Sequence, residues 1–391
     1  MYKKFSVFYF LSIFLICIGV IFGVKPKNNV AFAEEVNVTS KSAILVDANS
    51  GEVLYNKNEL ERLPIASMCK IMTMLICFEN IDNGNLSLDE EITVSERASS
   101  MGGSQVFLRA NEKYKVFELL KSISVASAND SCVALAEKLY GSEEEFVCKM
   151  NKKCEELSLL NTKFSNCTGL PKPEQYSCAL DVSKMFSELI KHPKYFEISN
   201  IWMQDFVHPD NSVTQMANTN KLIRFYNGCD SGKTGFTSEA GHCLTASAKR
   251  NGLRLVSVVI KAPNSKTRFA EVSNMLNYGF NNFESKKIID SSKNLDLQVA
   301  VEKGKKDKIE VCCENDVSIT IKKGQSRNFE FVFEPSENIK APVKIGEIVG
   351  KLNVYENGVL ISSVNVLSNE EVLRKTYFDV IKDAQLNWNI I

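Results

Sequence analysis

Three short polar clusters interrupt apolar segments of this chain, and each has residue types that can do chemistry. The first, Ser67-Met68-Cys69-Lys70, opens the apolar run 71–78 just after Pro64. If that run is a helix, Ser67 lies in its first turn and Lys70 follows on the same face. Free N–H groups and the helix dipole favour developing negative charge there. A serine hydroxyl becomes a useful nucleophile only when a base takes its proton. Lysine is such a base once burial or a neighbouring cation lowers its pKa from about 10.4, and Ile65, Met72 and Leu75 offer that burial. Alone the pattern is weak, since S-x-x-K arises by chance about once or twice in such a chain. A helix-capping serine with a surface lysine reads equally well.

The second cluster, Ser127-Ala128-Asn129, lies between two apolar helical stretches. It reads either as an Asx or Ser turn or as a proton-relaying hydroxyl beside an amide that holds a substrate carbonyl. The third, Lys233-Thr234-Gly235, follows Gly232 and enters a strand pair. On a strand edge Lys233 and Gly235 face one way and Thr234 the other, although local twist can bring the threonine hydroxyl round. Glycine there lets a substrate backbone come close. The cation can lower the pKa of Lys70 and hold an anionic substrate end.

Position is what these residues need, and the surrounding pattern supplies it. Segments 42–46 and 52–55 flank Asp47-Ala48-Asn49-Ser50-Gly51 and read as a hairpin. A helical region spans about 65–190, with apolar residues at three- and four-residue steps in 116–123 and 132–139. Strands return near Lys233, and 243–248 and 253–260 are joined at Asn251-Gly252. A helix over about 265–280 follows. Strand groups at both ends of a helical block predict an α/β domain whose sheet draws on both ends, over residues 34–284. From 285 to 368 short alternating segments predict a small all-β domain. Residues 369–391 repeat apolar positions (Leu373, Tyr377, Val380, Ile381, Ala384, Trp388, Ile391) at helical spacing. That helix either packs on its own β domain or anchors at a membrane surface, with Trp388 at headgroup depth.

Composition bounds the partners. Of 391 residues, 47 are Lys or Arg and 47 Asp or Glu, so no global positive field points to nucleic acid. Residues 1–33 carry two early lysines, a long apolar run and Ala31-Phe32-Ala33, and read as a secretory signal peptide rather than an uncleaved anchor. Its loss removes Lys3, Lys4, Lys25 and Lys27, leaving 43 bases against 47 acids. It also removes Cys17, leaving eleven cysteines. Several of them (Cys69, Cys77, Cys132, Cys243) fall at apolar core positions, so they are expected to be buried thiols rather than a disulfide framework. The three histidines, His192, His208 and His242, have no metal-binding spacing, and His242 reads as a structural turn residue.

S-x-x-K, S-x-N and K-T-G in this order resemble the penicillin-recognising serine acyl transferases. The likeness extends to Pro64-Ile65-Ala66-Ser67, Met101-Gly102-Gly103-Ser104, Ser127-Ala128-Asn129-Asp130, Thr168-Gly169-Leu170-Pro171 and Lys233 through Gly241, which resemble the low-molecular-weight D-alanyl-D-alanine carboxypeptidases. The β segments, with Gly350-Lys351-Leu352 and Tyr355-Glu356-Asn357-Gly358, resemble that family's C-terminal domain. Departures are Ala128 for a common Gly, Ser231 before the Lys-Thr-Gly, Gln175 for a common His and Cys69 for a common Thr. The resemblance implies a β-lactamase-like α/β (α+β) fold, an antiparallel sheet with a helical block. It also implies an acyl-enzyme on Ser67 with Lys70 as base, and an oxyanion held by the N–H groups of Ser67 and Phe236. Ser127 with Lys233 would return the proton, Asn129 would position the peptide, and Thr234 with Thr237 would bind the terminal carboxylate beside Gly235. No cofactor or metal is implied. The implied partners are a peptidoglycan stem ending in D-Ala-D-Ala, and β-lactams as inhibitors. Competing readings are a D,D-endopeptidase, a non-catalytic wall-binding scaffold, or a β-lactamase, for which Glu156 ahead of Leu160-Asn161 is mis-spaced.

Overall fold

The computed structural model describes residues 36–388, with the side chains of the last helix described as far as Lys382. The expected signal peptide, and the side chains of Ala384, Trp388 and Ile391, lie outside the described residues.

Strands β1 (Ser42–Asp47) and β2 (Val53–Lys57) form the expected hairpin, and a 3-10 turn (Ala66–Cys69) leads into α1 (Lys70–Asp82). The helical block continues through β3 (Glu91–Thr93), α2 (Glu96–Ser99), β4 (Lys113–Lys115), α3 (Val116–Val125), α4 (Asn129–Tyr140), α5 (Glu143–Glu156), α6 (Ala179–Leu189) and α7 (Tyr195–Ser199). A hairpin of β5 (Met203–Val207) and β6 (Val213–Ala217), then α8 (Leu222–Phe225), precede the long strands β7 (Cys229–Thr237), β8 (Gly241–Arg250) and β9 (Leu253–Ala262), and α9 (Ser265–Asn282) closes the unit. The main sheet is antiparallel in the order β2-β1-β9-β8-β7, so its strands come from both ends of the sequence and β7 lies at the edge.

Both faces of this sheet are covered, which is why β1 reads SAILVD with no polar alternation and is buried throughout. Its pleat still sorts the side chains. Ile44 and Val46 join the core under the helical block, with Met72, Leu75 and Leu120. Ala43 and Leu45 join the opposite core under α9, with Val272, Met275 and Leu276. The hairpins β3–β4 and β5–β6 were not legible in the sequence, because strands of three to five residues with mostly exposed side chains leave no apolar alternation.

With no intervening linker, β10 (Phe283–Ile289) follows α9 and pairs with β13 (Val317–Lys322). A five-stranded antiparallel sheet holds β11 (Asn294–Ala300), β12 (Lys308–Cys313), β16 (Val359–Ser368), β15 (Ile348–Glu356) and β14 (Glu330–Pro335) in that order. The two sheets share one core, where Ile289 and Val317 meet Val311, Val354 and Val366. This all-β part attaches to the first hairpin: the Thr320 hydroxyl donates to the Asp47 carboxylate, and Arg327 reaches Glu52 at 3.2 Å.

The last helix is shorter than its apolar repeat suggested. Helix α10 spans Tyr377–Trp388. Residues 372–374 are instead extended and pinned to the β domain, Val372 N and O both bonding Val343. Val372 is buried in that domain's core, so Leu373 belongs to no helical stripe. Tyr377 and Phe378 are 76% and 80% exposed and Val380 is exposed too, so these side chains are not buried against the β domain, which the helix meets through Asp379 and Lys305 at 3.5 Å. Among the described residues no helix is long and apolar enough to cross a membrane.

Candidate active site

Ser67 sits in the 3-10 turn, not in a regular helical first turn. Ala66 before it has φ +47°, a left-handed conformation that costs a non-glycine residue of order 1 kcal/mol or more. The neighbouring loop holds that conformation. Gly169, at φ +83°, lies so close that a Cβ there would fall 2.1 Å from Ala66 O and 2.9 Å from Ser67 N. On the other side a Cβ on Gly235 would stand 2.5 Å from Ile65 O and 3.3 Å from Met68 N. Gly235 therefore admits the chain's own nucleophile turn against β7.

Lys70 heads α1 and is fully buried. Its Nζ stands 3.1 Å from Ser67 Oγ and donates to Thr168 O at 2.5 Å. Among the described residues no carboxylate pairs with it. Burial holds its pKa below the ordinary lysine range, opposed by Cys132, Cys69, Cys167 and Asp130. The opposition from the thiols is small, because the same burial raises their own pKa values (Cys132 to about 12) and keeps them uncharged. A neutral Lys70 that donates one N–H to Thr168 O has its lone pair available to the Ser67 hydroxyl.

Ser127 lies between α3 and α4 with φ +65°, a second strained non-glycine position. Lys233, on β7 and fully buried, donates to Ser127 Oγ at 2.9 Å and to Thr234 O at 3.1 Å. Its pKa is held well below the usual value, chiefly by burial and then by Lys70. Two buried lysines, each on a serine, thus lie close enough that the charge of one disfavours the charge of the other. Asn129 Nδ2 donates to Gly102 O at 2.7 Å, and its backbone N to Ser104 O at 2.7 Å. Its first partner is therefore the Met101–Ser104 loop, with Oδ1 unengaged among the described residues. Ala128, one departure from the family pattern, is buried in the core rather than lining the site.

Beyond Gly235 the strand separates its side chains. Thr234 pairs with Leu244, whose side chain belongs to the core under α9, so Thr234 faces that side at the sheet rim. Its hydroxyl has no partner among the described residues. Phe236 is 58% exposed and stacks on His242 at 4.4 Å between ring centroids. His242 is therefore the second residue of β8, packed across the strand pair, and not a turn residue. Thr237 Oγ1 accepts from Ala240 N at 3.0 Å and lines a cleft of about 510 Å³ shared with Ala66 and the 170–176 loop. Since β7 is an edge strand, every second backbone N–H of it points away from β8.

The sequence reading missed several residues that hold this arrangement. Arg268, on α9 and largely buried, donates from Nη1 to Gly235 O at 3.1 Å and Cys243 O at 3.3 Å; its Nε has no partner. Nothing in an 18-residue helix marked it. Asp130 accepts from the backbone N–H of Val106, Leu108 and Ser131 at 2.9–3.1 Å and fixes the loop facing Asn129. Asn166 Oδ1 accepts from Gly169 N at 2.7 Å and so shapes the turn that presents Thr168 O to Lys70. Glu143, paired with Arg97, accepts from Cys167 N at 3.2 Å and ties α5 to the same turn.

An antiparallel sheet flanked by helices, with a serine–lysine turn against its edge strand, is the architecture of the penicillin-binding proteins. Penicillin binding protein 5 from Haemophilus influenzae superposes with a TM-score of 0.67 at 31% identity, covering 90% of this chain and 100% of that one. A peptidoglycan synthesis regulatory factor from Streptococcus pneumoniae gives 0.75 at 26% identity, covering 86% and 100%. In sequence, D-alanyl-D-alanine carboxypeptidase DacF of Bacillus subtilis (strain 168) is 40% identical over 350 residues, 89% of this chain and 90% of its own length. The serine peptidase profile described as D-alanyl-D-alanine carboxypeptidase matches residues 28–264, and the C-terminal domain profile of penicillin-binding protein 5 matches 283–374. The chain belongs to the D-alanyl-D-alanine carboxypeptidase family of serine peptidases.

Proposed function

We propose that this protein removes the terminal D-alanine from peptidoglycan stem pentapeptides through an acyl-enzyme on Ser67. The observation that carries the reading is the pair of buried lysines, Lys70 at 3.1 Å from Ser67 and Lys233 at 2.9 Å from Ser127. Neutral Lys70 takes the Ser67 proton as Oγ attacks the carbonyl between the last two D-alanines. The oxyanion is met by the N–H groups of Ser67 and Phe236, and losing one such donor typically costs about a hundredfold or more. Ser127, with Lys233, returns a proton to the departing D-alanine, and Asn129 orients the stem. Thr234 and Arg268, on the α9 side of the edge strand, supply a hydroxyl and a cation for the terminal carboxylate. Water then releases the shortened stem, and a β-lactam leaves a slow ester on Ser67.

A β-lactamase with a Glu-activated water fits less well. Glu156 is paired with Lys153 at 2.6 Å and Lys149 at 3.3 Å at the end of α5, away from this chemistry. In the same reading the chain is exported by residues 1–33 and works at the outer face of the cytoplasmic membrane or in the cell wall, with the part of residues 369–391 from Tyr377 onward, not the 372–374 stretch paired into the β domain, as its membrane contact. The exposed Tyr377, Phe378 and Val380 support that anchor. Co-sedimentation with anionic vesicles, lost in Tyr377→Glu/Phe378→Glu, tests it; unchanged sedimentation of that variant overturns it.

The activity is tested with diacetyl-Lys-D-Ala-D-Ala and with a fluorescent penicillin, wild type beside Ser67→Ala. D-alanine release and labelling are both expected to vanish in the variant. Release that survives the substitution overturns the mechanism, and rapid loss of bound penicillin from wild type favours the lactamase.

A further inference from the structure

The turn that carries Thr168 and Gly169 belongs to a closed loop, and one side chain ties the two halves of that loop together. Lys163 and Tyr176 exchange backbone hydrogen bonds at 2.9 and 3.1 Å, so the ends of residues 163–176 meet as in an Ω-loop. Helix α1 grips the inner half. Cys69 Sγ, Thr73 Oγ1 and Lys70 Nζ donate in turn to the carbonyls of Asn166, Cys167 and Thr168, at 3.2, 2.7 and 2.5 Å. The outer half, Pro171 to Glu174, is exposed and walls the cleft that begins at Ala66. Glu174 there has φ +60°, a conformation its surroundings must hold.

Among the described residues no backbone–backbone hydrogen bond crosses the loop between residues 164 and 175, so side chains hold it. Asn166 holds the tip, accepting from Gly169 N at 2.7 Å and donating to Leu170 O at 2.8 Å. Gln175, half-buried, holds the halves to each other. Its Oε1 accepts from the N–H groups of Ser165 and Asn166 at 3.1 and 3.0 Å, and its Nε2 donates to Leu170 O at 3.1 Å. Gln175 thus fixes where the chain enters the turn and where it leaves. Between those points lie Thr168 O, which takes the Lys70 hydrogen bond, and Gly169, packed against Ala66 and Ser67. Two N–H donors on one side and a carbonyl on the other need an acceptor with two lone pairs beside a donor. A side-chain amide meets that need at every pH. The histidine common at this place offers one accepting lone pair and one N–H, and no acceptor once protonated.

We propose that Gln175 is a positioning residue for the acyl-transfer centre: its amide sets the loop that holds Lys70 through Thr168 O and the Ser67 turn through Gly169. The proposal rests on the acyl-enzyme reading above. Removing the amide leaves the Ser165 and Asn166 N–H groups without an acceptor and takes one of two donors from Leu170 O. The turn between them then loosens while the grip of α1 on the inner half keeps the fold. A displacement of about 1 Å at reacting groups can cost about a hundredfold in rate. The contacts that Asn166 and α1 retain limit the expected loss to about tenfold.

The test uses two variants of the full chain. Gln175→Met keeps the side-chain length and removes all three hydrogen bonds, whereas Gln175→His keeps an acceptor only while neutral. Stopped-flow acylation over a range of fluorescent penicillin concentrations separates the limiting rate from the binding constant, and circular dichroism gives the folded fraction. Gln175→Met should show a limiting rate about tenfold below wild type with its binding constant unchanged. Gln175→His should stay near wild type at about pH 8, and its ratio to wild type should fall toward the Gln175→Met level as pH drops through about 6.5. The charged side chains around residue 175 (Lys163 with Glu174, Lys172, and Glu239 on the same cleft) are common to all three proteins, so the ratio at each pH isolates the substitution. A wild-type limiting rate in folded Gln175→Met, a loss confined to its binding constant, or a Gln175→His ratio that does not change with pH overturns the inference and leaves the carboxypeptidase reading intact. Folded wild type that forms no penicillin adduct and releases no D-alanine from diacetyl-Lys-D-Ala-D-Ala overturns that reading, and this inference with it.

Discussion

Gly169→Ala separates the positioning of the nucleophile from ordinary folding. The new Cβ would lie 2.1 Å from Ala66 O, 2.5 Å from Ala66 C and 2.9 Å from Ser67 N. Carbon–oxygen contact needs more than 3 Å, so the Ala66–Ser67 peptide must move by about an ångström or the 166–170 turn must open. Holding alanine at φ +83° costs about 1–2 kcal/mol, and overpacking a tight site about 1–3 kcal/mol. The sum, about 2–5 kcal/mol, predicts a melting temperature lower by about 4–10 °C for a chain of this size. Gly141, with nearly the same φ of +82° at the end of α4, has nothing within 4 Å of a built Cβ. Gly141→Ala therefore carries the backbone cost alone. Acylation by a fluorescent penicillin, followed in stopped flow below both melting points, should fall about a hundredfold in Gly169→Ala through the displaced Ser67 N–H. It should stay near wild type in Gly141→Ala. Equal melting points and equal acylation rates for the two variants would refute the claim that Gly169 holds the nucleophile turn.

Four further outcomes follow from the structure. Because burial lowers the Lys70 pKa, its neutral fraction grows as pH rises through that lowered value, so the acid limb of acylation against pH should lie below the ordinary lysine value of about 10.4. Lys70→Arg, whose guanidinium stays charged, should lose at least about a hundredfold across the whole range, and a variant with wild-type rates would exclude Lys70 as base. Arg268→Ala should raise KM for a D-Ala-D-Ala peptide, whereas a peptide amide lacking the terminal carboxylate should not distinguish it from wild type; equal loss on both would make Arg268 a brace for β7 only. Of the eleven described cysteines, all free, Cys148 alone is exposed, and burial raises Cys132, Cys154 and Cys178 to about 12. A thiol reagent near pH 7 should therefore titrate one or two groups in the native protein and most of them after denaturation, and fewer than half reacting when denatured would point to disulfides.

What the sequence disclosed depended on the kind of signal each feature leaves. The Asn251-Gly252 turn and the buried strands around it were readable because turn chemistry and β-branched runs are local, and β7, β8 and β9 lie where those signals fell. The polar clusters at Ser67, Ser127 and Lys233 were readable because they interrupt apolar segments. Their common meeting point was not, since the Lys233–Ser127 bond joins residues 106 positions apart. Arg268, Asn166 and Glu143 act through backbone carbonyls and N–H groups of distant turns, a role that leaves no residue pattern of its own. The end of the chain misled for a related reason: Leu373 fits a helical repeat, yet pairing of its neighbour Val372 with Val343 takes that stretch into the β domain before α10 begins.

The central claim, a covalent acyl-enzyme on Ser67, is tested most directly by peptide mapping. The full chain is incubated with benzylpenicillin, quenched in acid, digested, and the modified peptide sequenced by tandem mass spectrometry. The adduct is expected on one serine only, Ser67, at near one equivalent per chain, and is expected to be absent from Ser67→Ala. An adduct on any other residue, or equal labelling of a folded Ser67→Ala protein, would contradict the account.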